Sequence, residues 1–188
     1  MKKIDEKMLD ENVKTSINNK KKGIFFINSN FTDELLEYLF LDVQNALNDN
    51  NIKEITFYIN SNGGEVTTLL PLYDLIKATE KNVKTVVLGK AFSAGAMLLL
   101  SGTKGKRYAY ENSVILLHEV ATNFGYNKNS QTQEDAKFMN DINLRLRAMV
   151  GVNSKMTSDQ LDKYFNSNKD IYITAKQALR FGIIDKIV

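Results

Sequence analysis

The chain has 188 residues, 43% of them hydrophobic, with one histidine and no cysteine; this suffices for one domain with a sizeable core and rules out disulfides and thiolate metal sites. The formal charge of +3 lies wholly in the first 22 residues, where seven lysines face four acids, against 18 basic and 18 acidic residues in the remainder. A mixed-sign segment without aromatics reads as a solvated arm, not a phosphate-binding face, which argues against nucleic-acid binding.

Residues 1–22 lack the apolar stretch of a secretory signal, and runs such as 97–100 are far too short to cross a bilayer. The expectation is a soluble, cytoplasmic protein with no membrane partner. Its mobile N-terminal arm spans 1–22, and a single domain spans 23–188. In chain order, 23–27 reads as a buried strand closed by Asn28-Ser29-Asn30. Thr32 then caps a helix with Leu36, Leu39, Phe40, Val43 and Leu47 on its inner face. A second strand, 55–59, ends in the loop Asn60-Ser61-Asn62-Gly63-Gly64. A helix follows over 66–80, and Pro71 puts the start of its regular part near Thr68.

The third strand is predicted at 83–88, a buried helix at 93–100, and two further strands at 106–110 and 114–117. A polar loop, 121–130, leads to a long helix over 131–150, whose Phe138 and Leu144 lie off its main apolar stripe. Apolar residues on more than one face suggest that a neighbouring subunit covers the second. Thr157 with Gln160, and Thr174 with Gln177, have capping-box spacing for two short helices, and a strand is expected at 170–173 between them. Gly182 closes the last helix, and 183–188 is an apolar run. Strands alternating with helices predict an α/β fold of repeated βαβ units with a mainly parallel sheet. In such sheets ligands sit at the carboxyl ends of the strands, where both glycine-rich turns fall.

The chemistry centres on Ser93, in Gly89-Lys90-Ala91-Phe92-Ser93-Ala94-Gly95-Ala96. A serine among small residues at a strand-to-helix turn can expose its hydroxyl as a nucleophile. Twenty-five residues later stands His118, the sole imidazole and so the one histidine base the chain can offer. Gly63 and Gly64 let the backbone approach a substrate and aim N–H groups at a carbonyl oxygen, with the Ala94 amide as a second donor. Taken singly, each has a plainer explanation: a small packing residue, a core histidine and a tight turn.

Together with Gly102-Thr103-Lys104-Gly105-Lys106-Arg107-Tyr108, Leu117-His118-Glu119 and the segment 170–185, these stretches resemble, in order and spacing, the landmarks of the ClpP peptidase family over about residues 23–188. The resemblance implies a ClpP/crotonase-type fold with a protruding helical handle, here the 131–150 helix. Ser93 falls on the family's nucleophile, His118 on its general base and Asp170 on the acid that orients the histidine. Gly63 and Ala94 fall on its oxyanion-hole amides, with Gly64 beside them as a substrate-binding glycine.

The sequence departs from the family at Asn62, where proline is usual and whose replacement implies a looser turn. It departs again at Glu119-Val120, which stand for Gln-Pro, and at Lys169, which stands for an arginine that helps couple rings. Loop 121–130 is poorer in glycine than the family's substrate-lining strand, and the N-terminal arm does not resemble the family's axial loops.

The reading is a serine endopeptidase that cuts unfolded proteins or peptides by a Ser-His-Asp mechanism inside a ring-shaped homo-oligomer, heptameric by resemblance. It needs no metal and no cofactor of its own, and an AAA+ unfoldase is a possible partner. The departures fit a divergent member, such as a phage head-maturation protease. Two alternatives are a non-catalytic ring subunit, against which the complete Ser, His and Asp set argues, and a crotonase-type acyl-CoA enzyme. The latter would need a pair of acids near the glycine loops, and the sequence offers none.

Overall fold

Apolar strands alternating with helices build, in the computed structural model, a seven-stranded sheet packed against helices; the structure describes residues 10–121, 129–165 and 170–188. Strands β1 (Ile24–Ile27), β2 (Glu54–Ser61), β3 (Asn82–Phe92), β4 (Arg107–Ala109) and β7 (Lys186–Ile187) lie side by side in the order β1-β2-β3-β4-β7, all parallel. The remaining two, β5 (Val114–Leu117) and β6 (Ile171–Thr174), leave this row. β5 runs parallel to the last residues of β3, and β6 pairs antiparallel with β5. The α/β class and mainly parallel sheet expected from the sequence are therefore present.

Residues alternate along β2: Ile55, Phe57, Ile59 and Ser61 are buried, and the residues between them are half-covered. That is the period of a strand with one face in the core. The helices are α1 (Glu11–Lys21), α2 (Asp33–Asn48), α3 (Val66–Ala78), α4 (Ala94–Ser101), α5 (Asn129–Asn153), α6 (Ser158–Phe165) and α7 (Ala175–Arg180). All eight residues of α4 are buried, which explains why it shows no polar face in the sequence. Each buried Leu or Met there contributes roughly 1.5–3 kcal/mol of hydrophobic stabilisation.

Several boundaries differ from the sequence expectation. Where an arm was expected, residues 11–21 form helix α1, which buries none of its residues. Local chemistry accounts for it: Asp10 accepts from the Asn12 N–H at 2.7 Å, Glu11 sits in the first turn and Lys20 and Lys21 in the last, and Lys20 pairs with Asp42 at 2.6 Å. Helix α3 begins at the expected Val66, with Pro71 inside it, and ends at Ala78, two residues short of the expected end. The proline and Thr67 are exposed, so the carbonyl that Pro71 leaves without a donor faces water. Helix α5 is longer than predicted at both ends.

Strand β3 does not stop before Gly89. That glycine takes φ 84°, and the strand continues through Phe92 by pairing Lys90, Ala91 and Phe92 with Val114, Ile115 and Leu116. This extension carries the chain from the centre of the sheet to the edge where Ser93 lies.

A buried ion pair ties the far pole together. Arg107, 3% exposed at its side chain, donates from Nε and Nη2 to the two oxygens of Asp185 at 2.9 and 2.7 Å, and from Nη1 to the Asn153 carbonyl at the end of α5. Burial pushes the Asp185 carboxyl up, but hydrogen bonds and charge from Arg107 outweigh it and hold the group below the usual carboxylate range. Among the described residues, no helix is long and apolar enough to cross a membrane.

Candidate active site

Ser93 stands between β3 and α4 with φ 52° and ψ −118°, the one residue other than glycine with positive φ among those described. A side chain held in that region costs about 1–3 kcal/mol, and such turns persist where the surroundings over-determine them. Here they do so. The Ser93 N–H donates to Leu116 O at 2.9 Å, and the Ser93 carbonyl accepts from Ala96 and Met97 at 2.9 and 3.1 Å, starting α4. The turn leaves the hydroxyl half-exposed at the N-terminus of a buried helix, whose first amide, that of Ala94, lies beside the nucleophile position.

The glycine turn after β2 lies directly against this serine. A Cβ on Gly63 would stand 2.6 Å from Ser93 Cβ and 3.2 Å from the Ala94 nitrogen, and Gly63 takes φ 97°. Gly64, at φ 140°, packs on Phe31, whose carbonyl oxygen would lie 2.3 Å from an added Cβ. The two amides differ in what they are free to do. The Gly63 N–H, expected from the sequence to be an oxyanion donor, is given to Ser61 Oγ at 3.1 Å. The Gly64 N–H makes no hydrogen bond among the described residues and is the available one.

His118 follows β5, and Asp170 precedes β6. The antiparallel register pairs Leu117 with Ile171, so the next residues outward, His118 and Asp170, are cross-strand neighbours. His118 Nδ1 lies 3.5 Å from Asp170 Oδ1; the imidazole is 22% exposed and the carboxylate 56%. The parallel pairing of Phe92 with Leu116 brings Ser93 to the same edge. The three side chains chosen in the sequence thus converge on one rim of the sheet. No hydrogen bond joins the Ser93 hydroxyl to His118 among the described residues.

Beside the glycine turn opens a cavity of about 550 Å³ whose lining includes Phe31, Gly64, Val66, Val120, Met139 and Ile142. It is bounded by β2's loop on one side and α5 on the other, and its lining, mainly apolar with Asn30, Thr32, Glu65 and Thr67 among it, suits a largely apolar side chain. Among the described residues no group of three or more His, Asp or Glu is gathered to hold a metal.

Two contributors were not picked out in the sequence. Asn143 on α5 accepts from the Val120 N–H at 3.2 Å and donates to Phe165 O at 3.1 Å, bracing the segments that carry His118 and lead to Asp170. Ser61 is the other, buried under the glycine turn. Asn143 acts through backbone more than twenty residues away, which no spacing rule marks, and the two-residue bond of Ser61 to Gly63 is secured by its second bond, to Ser29 O, 32 residues away. Asn62, expected to loosen the turn, donates to Asn30 Oδ1 at 3.4 Å. Lys169 and most of loop 121–130 lie outside the described residues.

The family model described as Clp protease matches residues 10–188. ATP-dependent Clp protease proteolytic subunit 2 of Prochlorococcus marinus (strain MIT 9312) is 33% identical over 167 residues, covering 88% of this chain and 80% of that protein. The protein of the same name from Thermobifida fusca (strain YX) is 30% identical over 172 residues, covering 89% and 81%. The ATP-dependent Clp protease proteolytic subunit of Carsonella ruddii (strain PV) is 30% identical over 174 residues, covering 89% and 84%.

Proposed function

The chain belongs to the Clp protease family, and from that premise we propose that it is a serine endopeptidase in which Ser93, His118 and Asp170 form the catalytic triad. The observation that carries this reading is Ser93 itself, held at positive φ on the N-terminus of α4 against a glycine turn, on the same rim as the His118–Asp170 pair.

In the proposed reaction Ser93 Oγ attacks the carbonyl carbon of the scissile peptide bond while His118 Nε2 takes the hydroxyl proton. Asp170, facing Nδ1, holds the ring so that Nε2 is turned to the serine and offsets the charge the imidazolium gains. The tetrahedral oxyanion accepts from the Gly64 and Ala94 amides, one such donor being worth about 3 kcal/mol of transition-state stabilisation. Collapse breaks the C–N bond, and His118 returns its proton to the leaving amine. Water then attacks the acyl-serine by the same route, with His118 again as base.

The cavity under Val66, Met139 and Ile142 would hold a substrate side chain next to the bond that is cut. Unfolded chains are the substrate class this favours, because an extended main chain can offer its carbonyl to the Gly64 and Ala94 amides, whereas the backbone of a folded protein is already paired. Phe138 and Leu144 on α5 are 50% and 55% exposed in the single chain, which supports burial against further copies in a homo-oligomeric ring. An ATPase unfoldase feeding such a ring, and a cytoplasmic setting, remain part of the same proposal.

The test is hydrolysis of a fluorogenic peptide by the purified, assembled protein and by Ser93→Ala. Turnover by the wild type with a loss of about 10⁴-fold in the variant is expected, since triads act as units. Undiminished turnover in Ser93→Ala would overturn the assignment.

A further inference from the structure

The turn that carries Gly63 and Gly64 is secured to a second loop by a ladder of bonds. Asn60 Nδ2 donates to Asn28 Oδ1 at 2.6 Å, Ser61 Oγ to Ser29 O at 2.6 Å, and Asn62 Nδ2 to Asn30 Oδ1 at 3.4 Å, each across 32 residues of sequence. Main-chain bonds continue it: Phe31 N–H to Gly63 O at 2.7 Å and Glu65 N–H to Phe31 O at 3.0 Å. Phe31 is 1% exposed, so the second loop is itself rooted in the core.

Within this ladder Ser61 has a distinct place. It is 1% exposed, and its hydroxyl donates to Ser29 O while accepting from the Gly63 N–H at 3.1 Å. Both peptide planes flanking Gly63 are thereby fixed, the preceding one by Ser61 and the following one by Phe31. A trans peptide points its carbonyl and its N–H in opposite directions. With the Gly63 carbonyl held on Phe31, the Gly64 N–H must point away from Phe31. Two consecutive glycines with positive φ have no side chain to hold these planes, and their many accessible conformations would otherwise include flipped peptides.

We propose that Ser61 is a positioning residue for the reaction: its buried hydroxyl, clamped between the Ser29 carbonyl and the Gly63 amide, fixes the peptide plane before Gly63, and only with that plane fixed does the Phe31 bond to the Gly63 carbonyl keep the Gly64 N–H aimed at the substrate's carbonyl oxygen. The inference rests on the peptidase reading above. Ser61 touches neither substrate nor the reacting atoms, and it acts on the oxyanion only through the orientation of the backbone. An interaction that strengthens as negative charge develops governs kcat more than KM, which separates this role from a merely structural one.

The experiment compares kcat and KM for a fluorogenic peptide, and the rate of Ser93 modification by a fluorophosphonate, in the assembled wild type, Ser61→Ala and Ser61→Thr. Ser61→Ala is expected to lose at least about 10-fold in kcat and in modification rate with KM within about 2-fold, and the threonine, which keeps the hydroxyl, to regain most of the loss. An unchanged kcat in Ser61→Ala, a change confined to KM, or a threonine variant no better than alanine overturns the proposal. If Ser61→Ala does not assemble, Ser61→Cys, which fills the space but bonds the Ser29 carbonyl and the Gly63 amide more weakly, takes its place. There a fall of about 3-fold in kcat at constant KM supports the clamp, and no change overturns it. A wild type that neither turns over nor is modified sinks the peptidase reading and this inference together, whereas an active wild type with an unaffected Ser61→Ala sinks this inference alone.

Discussion

Ser93 and the Gly63–Gly64 turn are fixed by main-chain bonds and the buried Ser61 hydroxyl at the ends of two central strands, whereas His118 and Asp170 meet through one 3.5 Å side-chain contact on the last strand pair of the sheet. The first pair is closely packed, since a methyl group on Gly63 would collide with Ser93 and Phe92. The second pair is open, with the Asp170 carboxylate more than half exposed. The difference shows where each part of the site gets its precision. In the proposed triad, the nucleophile side draws it from the fold of one chain, and the base side from α5 and α6, which brace the flanking segments. If further copies cover the exposed residues of α5, assembly tightens the base side and leaves the nucleophile side as it is.

Four substitutions would break or sharpen this contrast. Gly63→Ala puts a methyl 2.6 Å from Ser93 Cβ and 2.7 Å from Phe92 O at a φ of 97°. A drop in kcat of about 10³-fold is expected, because the nucleophile and the neighbouring oxyanion donors shift together. A peptide-hydrolysis assay retaining more than a tenth of wild-type kcat would show that the packed side is more tolerant than its geometry implies. Asp170→Asn should cost about 10²-fold in kcat, the low end for a group assisting acid–base catalysis, as its carboxylate is half in water.

A smaller effect belongs to Asn143→Ala, which removes the brace between Val120 and Phe165. The loss of two hydrogen bonds, each worth about 0.5–1.5 kcal/mol, predicts roughly 10-fold in kcat, while fluorophosphonate-independent measures of the nucleophile side, such as the Gly63 amide's hydrogen-exchange protection, stay at wild-type values. A fall in that protection would dissolve the distinction between the two sides.

The smallest effect on rate is expected from Asp185→Asn, remote from both. Its partner Arg107 is left buried and unpaired, so the variant should lose about 3 kcal/mol of stability near neutral pH, read by denaturant unfolding, with kcat of the folded protein within about 2-fold. Because Arg107 holds the folded Asp185 carboxyl below its ordinary value, the pair's stabilisation is fully present above that ordinary value. It is lost as pH falls through the lower folded value. The stability gap between wild type and variant should therefore close on acidification, and a gap that widened instead would contradict the pairing.

Much of the frame was legible in the sequence because its signals are local. The period-two strand at 55–59, the Thr32 cap with its leucine-rich face and the Thr174–Gln177 capping box are all present in the structure, the box with both of its hydrogen bonds. The end of β3 was not legible, since Gly89 reads as a stop and becomes a bend once β5 supplies partners for the three residues beyond it. Helix α1 was hidden by its polarity, its stability coming from a cap and from Asp42 in another helix. In the site, Ser93, His118 and the glycines could be picked out by residue type, and Asp170 through the family resemblance. Which glycine amide is free could not, because that depends on whether the nearby Ser61 hydroxyl turns back to Gly63, which its bond to Ser29 settles, and on Phe31 reaching across from another loop.

The most direct test of the central claim is to map, by peptide mass spectrometry, where a fluorophosphonate attaches to the assembled protein, and how fast. The account predicts a single adduct on Ser93, formed at least about 10²-fold more slowly in His118→Ala. A folded, assembled protein that stays unmodified at Ser93, or one whose His118→Ala variant is modified at the wild-type rate, would contradict it.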